Sequence, residues 1–235
     1  MRPLSTIWPI VTLVGLCGCI SCTNHDLADR DNVRLNSYVN PDCRGAPGNF
    51  SMFGSEGRMI AKEPSPSLRE VAAAIGCNDA RRVKGLLKSG VDPNAVIAGK
   101  KLTYWAALAG DKEVIEILIE AGASIDGDEG THIESPLSGS VSHAINTGDW
   151  SVYEYLIKKG ANVRIRSGNP TLTIAGDLVM IGQFRRVNEL LDHGYDRDLL
   201  ELAHWVNTSI PPQDELELKE YAKLKNRLSV GSGTH

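Results

Sequence analysis

The chain is short of positive charge, of long apolar runs and of catalytic signatures, and each shortage removes a class of function. Its 235 residues carry 25 Lys and Arg against 29 Asp and Glu, a formal charge of -4 with a pI near 5.9. A protein that neutralises nucleic-acid phosphates needs clustered cations, so DNA and RNA are not its partners. The apolar run at residues 7–16, IWPIVTLVGL, is ten residues long and too short to cross a membrane as a helix. There is no G-x-S-x-G turn, no phosphate-cradling loop and no cysteine with a plausible base. His132 and His143 flank Glu134, but their spacing matches no ligand pattern on one helix face, and they read as solvent-facing loop and helix residues. No catalytic residue, metal or cofactor is therefore assigned. What the chain does have is 42% hydrophobic content, enough for a real core.

The first segment, MRPLSTIWPIVTLVGLCGCISC, reads as an export signal: Arg2 is its only charge, and the apolar run has secretory length. Leu16-Cys17-Gly18-Cys19 resembles the bacterial lipobox, in which a small residue precedes a cysteine that is lipidated and becomes the new N-terminus. That resemblance makes residues 1–18 a lipoprotein signal peptide and Cys19 the anchor, with Cys22 the poorer match. Ile20 in place of Asp then implies release to the outer membrane, with the mature protein in the periplasm and attached to the membrane only through its lipid. In an oxidising compartment Cys43 and Cys77 either bridge or remain a loop thiol and a small buried hydrophobe. Residues 19–64 have no sustained periodicity and read as a mostly irregular tether.

Beyond the tether one pattern returns four times, as VKGLLKSGVDPN, IEILIEAGASID, YEYLIKKGANVR and VNELLDHGYDRD. In each copy an apolar pair stands three and four residues before a glycine: Gly90, Gly122, Gly160 and Gly194, spaced 32, 38 and 34 apart. A glycine there ends a helix in the left-handed conformation. Twelve residues before each glycine is a second turn signal, Asn78-Asp79, Gly110-Asp111, Gly148-Asp149 and Gly182-Gln183, and the Asp in three of these pairs is placed to cap the following helix. Another twelve residues upstream stand Pro66, Pro136 and Pro170, each marking the start of a first helix. The unit is helix, tight turn, helix, loop. The last helix, in QDELELKEYAKLKNRL, places Leu218, Tyr221, Ala222, Lys225 and Leu228 on one largely apolar face and reads as a C-terminal cap over residues 211–230.

This unit resembles the ankyrin repeat, best in AALAGDKEVIEILIEAGASID at residues 106–126. The resemblance covers about residues 66–200 and implies an all-α solenoid of four to five helix-turn-helix repeats over residues 65–210. The chain departs from the family's TPLH opening, with KLTY in repeat 2 and an early proline elsewhere, which implies longer first helices.

An ankyrin stack offers a concave face of loop fingers and first helices on which another protein lies. Adjacent fingers of opposite sign, with Asp126, Asp128, Glu129 and Glu134 in one and Arg164 and Arg166 in the next, are suited to reading a partner's charge. Tyr104 and Trp150 are expected to contact a partner, Trp105 and Tyr155 to lie in the core, and His204 to pack beside Trp205. Short ankyrin lipoproteins of this build resemble the immunity proteins of type VI secretion effectors, which implies a non-enzymatic protein, a monomer when free, that blocks a secreted phospholipase. The alternatives are a periplasmic ankyrin protein that supports a resident catalase and, from another class, a lipid-anchored hydrolase.

Overall fold

Gly90, Gly122, Gly160 and Gly194 all adopt the left-handed backbone, with φ of +103°, +97°, +82° and +88°, and each follows directly on the end of a helix. The computed structural model describes residues 57–127, 134–164 and 173–231. These residues form eleven helices and one short hairpin. In chain order they are α1 (Gly57–Ala61), α2 (Pro66–Gly76), α3 (Ala80–Lys88), β1 (Val96–Ile97), β2 (Lys100–Lys101), α4 (Leu102–Ala109), α5 (Lys112–Glu120), α6 (Pro136–Thr147), α7 (Ser151–Lys158), α8 (Ile174–Met180), α9 (Phe184–Asp192), α10 (Leu199–Thr208) and α11 (Glu215–Gly231). From α2 onward the helices pair in sequence, giving five helix-turn-helix units. The all-α solenoid expected from the repeat is the architecture found.

Local chemistry explains most of the boundaries. Ser65 and Ser135 cap α2 and α6 through their side chains, each just ahead of the proline at the first helical position. Asp79 and Asp111 accept from the backbone N–H groups of Arg82 and Val114, at 2.9 and 3.0 Å, as their turn positions predict. Asp149 differs: it accepts from Ser151 N at 2.8 Å, and Trp150 occupies the cap position without a side-chain bond. Pro170 lies outside the described residues, and α8 starts at Ile174, capped by Thr173. The long first helices implied by the early prolines are therefore α2 and α6, whereas α8 has seven residues.

Helices α2, α4, α6, α8 and α10 lie side by side as one layer, and the second helices form the other. The first layer is built of small residues: Ala72, Ala73, Ala74, Ala106, Ala107, Ala144 and Ala175 are all buried in it. Small side chains bring helix axes closer on that side than on the other, so it is the concave one. The closest approach to another backbone is at Gly139 in α6, where an added Cβ would stand 2.8 Å from the Tyr104 carbonyl oxygen and 3.2 Å from its ring; at Gly110 and Gly176 the rings of His143 and Trp205 come nearer still, at 2.3 and 2.2 Å. Large apolar residues then fill the space between layers: Trp105, Ile115, Leu118, Leu137, Tyr153, Leu156 and Phe184 are fully buried.

Each end of the stack is covered by a helix outside the repeats' own pattern. The span expected as a mostly irregular tether holds α1 near its end, and Ile60 of α1 is fully buried against the first repeat. At the other end, α11 packs on α9 and α10, but its buried face is Tyr221, Leu224 and Leu228, while Leu218 and Ala222 are exposed. The helix is rotated because polar contacts orient it: buried Asn188 donates to the Glu220 carbonyl and carboxylate at 2.9 and 2.8 Å, and Arg227 reaches Asp192 at 2.7 Å. Tyr221 meets Phe184 edge-on at 4.9 Å. Cys77, just beyond α2, is disulfide-bonded to a residue outside the described ones. Cys19 and Cys43 also lie outside them.

Gly139→Ala is expected to lower the unfolding free energy by about 1–3 kcal/mol, because the obstruction is backbone and cannot rotate away. Gly85→Ala, at an exposed helical site with open space around it, is the matched control and is expected to leave stability unchanged or slightly raised. Denaturant unfolding of the two variants measures the difference.

Candidate functional site

The loops that leave the second helices are joined to one another in a regular way. Asn94 donates to the Gly122 carbonyl at 2.9 Å and accepts from Ser124 N at 2.8 Å. Asp126 accepts from Asn162 N at 2.7 Å, and Arg164 pairs with Asp196 at 2.9 Å. Each is the fourth residue after one repeat glycine reaching the second residue after the next. Asp126 and Arg164, expected to meet a partner, thus hold neighbouring fingers in register. The Arg164 pair is half exposed, so it adds little stability and mainly sets spacing. Asp128, Glu129 and Arg166 lie outside the described residues.

Tyr104 is a correction to its expected role, since only 4% of it is exposed. Lys100, itself buried, lies over its ring with Nζ 4.5 Å from the centroid, and Gly139 closes on it from α6. The same ammonium pairs with Glu134 at 2.6 Å, which binds the hairpin of repeat 2 to the start of repeat 3. Glu134, also expected at the partner surface, serves this joint. Trp105 is fully buried, as expected, and donates to the Ile97 carbonyl at 3.2 Å.

Trp150 is half-buried, and its ring meets Tyr153 edge-on at 5.6 Å and the Arg186 guanidinium at 5.1 Å. Arg186 is 3% exposed and reaches Glu154 at 2.6 Å and Glu189 at 3.2 Å, so Trp150 is a platform within a joint between repeats 3 and 4. Tyr155, expected in the core, is only partly covered; desolvation and the Glu116 carboxylate push its phenol up to about 12. His143 is buried, contrary to its solvent-facing reading: its Nδ1 is 3.1 Å from the Leu108 carbonyl, and its ring occupies the space where a side chain on Gly110 would go. His204 is exposed, not packed.

Removing the joints from the concave layer leaves Asp177 in α8. It is half-buried, its carboxylate makes no hydrogen bond or ion pair with a described residue, and Glu134 lies close enough to repel it. Burial chiefly, and Glu134 second, hold its carboxyl above the usual aspartate range. Met180, three residues on in the same helix, is 75% exposed, and Ile145 near the end of α6 is 52% exposed. The layer thus carries an uncompensated acid with exposed Met180 one helical turn away, and a second open apolar side chain, Ile145, on α6. Sequence reasoning passed over Asp177, although an acid inside the apolar helix IAGDLVM was a visible anomaly; Met180 and Ile145 gave no signal, because only packing decides which apolar residues stay outside. Among the described residues no group of three or more His, Cys, Asp or Glu could hold a metal, and no helix is long and apolar enough to cross a membrane.

Among solved structures the chain is similar to the human ASB11 ankyrin repeat domain, with a TM-score of 0.50 and 17% identity over 85% of this chain and 82% of that one. The fold is an ankyrin-repeat array. No family model matches the sequence of this ankyrin array. Among curated proteins it is similar to the BRCA1-associated RING domain protein 1 of Caenorhabditis elegans, 30% identical over 94 residues, which is 40% of this chain and 13% of that protein. The likeness therefore spans a small part of that relative, and with 17% identity the structural likeness establishes the fold alone.

Two expectations follow. Glu134→Ala removes the carboxylate facing a buried ammonium and is expected to cost about 3 kcal/mol in thermal or denaturant unfolding, with the double variant Lys100→Met, Glu134→Leu recovering most of it. Asp177 behaves oppositely. Its raised folded-state pKa means that the stability it contributes is present below the unfolded pKa and is lost as pH rises through the folded one. Asp177→Asn is accordingly expected to be more stable than the wild type at neutral pH and equal to it at low pH, as read by melting temperature across pH 3–7.

Proposed function

We propose that the chain is a non-enzymatic ankyrin lipoprotein of the periplasm that binds and neutralises one protein partner through its concave layer, and that the partner is an antibacterial type VI secretion effector such as a phospholipase. The observation that carries the binding role is Asp177: a half-buried carboxylate without a cation, one helical turn from exposed Met180, is destabilising to the free array and is relieved when a partner supplies a basic side chain and covers the exposed methionine. Proteins hold such groups where binding needs them. A phospholipase that binds lipid phosphate has a basic substrate entrance, and an acid held on a rigid scaffold is complementary to it.

The placement rests on the lipobox-like Leu16-Cys17-Gly18-Cys19, and an oxidising compartment is compatible with a disulfide at Cys77. A tethered inhibitor meets the toxin where the toxin acts. The test is co-expression in the periplasm with a secreted phospholipase effector of the type VI class. Growth is expected to be restored by the wild type, and Asp177→Asn is expected to bind more weakly, by ten- to a hundredfold in titration calorimetry, while remaining fully folded. Unimpaired killing in the presence of the wild-type chain would overturn the immunity reading.

A further inference from the structure

Charge is divided unevenly along the array. Residues 57–90 carry seven Lys and Arg against three Asp and Glu, whereas residues 91–235 carry 14 against 21. The cations are also displayed together. In α3 the side chains of Arg81, Lys84 and Lys88 are exposed at spacings of three and four residues, which puts them on one helical face, and none makes an ion pair with a described residue. Arg82 is the exception on this helix, turned inward to Glu70 at 3.0 Å. Gly85, exposed among the three with open space around it, leaves the face low. The next helix of the outer layer, α5, exposes Glu113, Glu116 and Glu120, so the outer surface changes sign between the first and second repeats.

The basic face also stands at the end of the array to which the N-terminal segment is fastened. Cys77 is disulfide-bonded and lies three residues before α3, and every other cysteine of the chain stands at or before position 43. The bond therefore joins the N-terminal segment to the turn that leads into α3, whichever of those cysteines is the partner.

We infer that the Arg81, Lys84 and Lys88 face of α3 is a membrane-docking surface for anionic phospholipid headgroups. This rests on the lipid-anchored reading above for its setting, since anchoring and the Cys77 bond together bring the first repeat to the bilayer. Attraction of three exposed cations holds the repeat on the headgroups, and the acidic face of α5 is repelled, so the array stands away from the surface beyond its first unit. Because α3 belongs to the outer layer, docking by this face leaves the concave layer and Asp177 open to a partner. The lipid supplies attachment, and the basic face supplies orientation.

Vesicle flotation tests this with the secreted chain carrying Cys19→Ser, so that no acyl chain contributes. Binding is expected to vesicles of phosphatidylglycerol in phosphatidylcholine, not to phosphatidylcholine alone, and to weaken as salt rises. At about fivefold per cation, the triple variant Arg81→Gln, Lys84→Gln, Lys88→Gln is expected to bind roughly a hundredfold more weakly. Glu113→Gln, Glu116→Gln, Glu120→Gln is expected to bind more tightly. All six positions are exposed, and circular dichroism confirms that the variants fold. Equal binding of wild type and the basic-face variant, or no binding to anionic vesicles at all, overturns the inference. Palmitate labelling of the wild type is read separately: loss of labelling with vesicle binding intact overturns the anchor alone and supports the docking face as the array's own attachment.

Discussion

Each helix pair here buries its apolar side only against the next pair, and the distance between pairs is set where backbone meets side chain without an intervening Cβ. Gly176 under the Trp205 ring and Gly110 under His143 are such contacts, and Gly139 lies on the Tyr104 carbonyl itself. With α4 and α6 that near, Tyr104 is covered, Lys100 is pressed over its ring, and Glu134 is carried to within 2.6 Å of the ammonium. The same closeness drops His143 onto Gly110. A looser packing of the inner layer would return all of these groups to solvent, and the concave surface would have a different chemistry.

Polar side chains in this molecule divide into those that join repeats and those left uncompensated. The joins are extensive: Asn94, Asp126 and Arg164 link fingers, Lys100 and Glu134 link the hairpin to the next helix, and Arg186 draws Trp150, Glu154 and Glu189 together. Against that background the exceptions carry information. Asp177 and the exposed cations of α3 are charged groups that the fold does not satisfy, one on the concave layer and the others on the outer layer of the first repeat. They lie on different faces and at different repeats, so engagement of one surface does not obstruct the other.

Much of the fold was legible because its determinants are local. A glycine required at positive φ, an Asp one residue beyond a turn and a Ser-Pro at a helix start act within a few residues of themselves. The candidate site was far less legible. Tyr104 and Trp150 were read as contact residues because aromatic side chains favour interfaces, yet the same property fills cores, and only the cation above each ring decides between the two. Asp126 and Glu134 were read as free acids because their partners, Asn162 and Lys100, stand 36 and 34 residues away.

The sequence by itself determined the repeat, the helix-turn-helix unit and the approximate extent of the array, since each depends on backbone preference and apolar periodicity over at most a few turns. Tertiary structure alone decided which face of α11 is buried, which charges are neutralised and which apolar side chains remain outside. Those outcomes depend on the separation of neighbouring repeats, a distance fixed by packing across more than thirty residues of chain, where no local preference reaches.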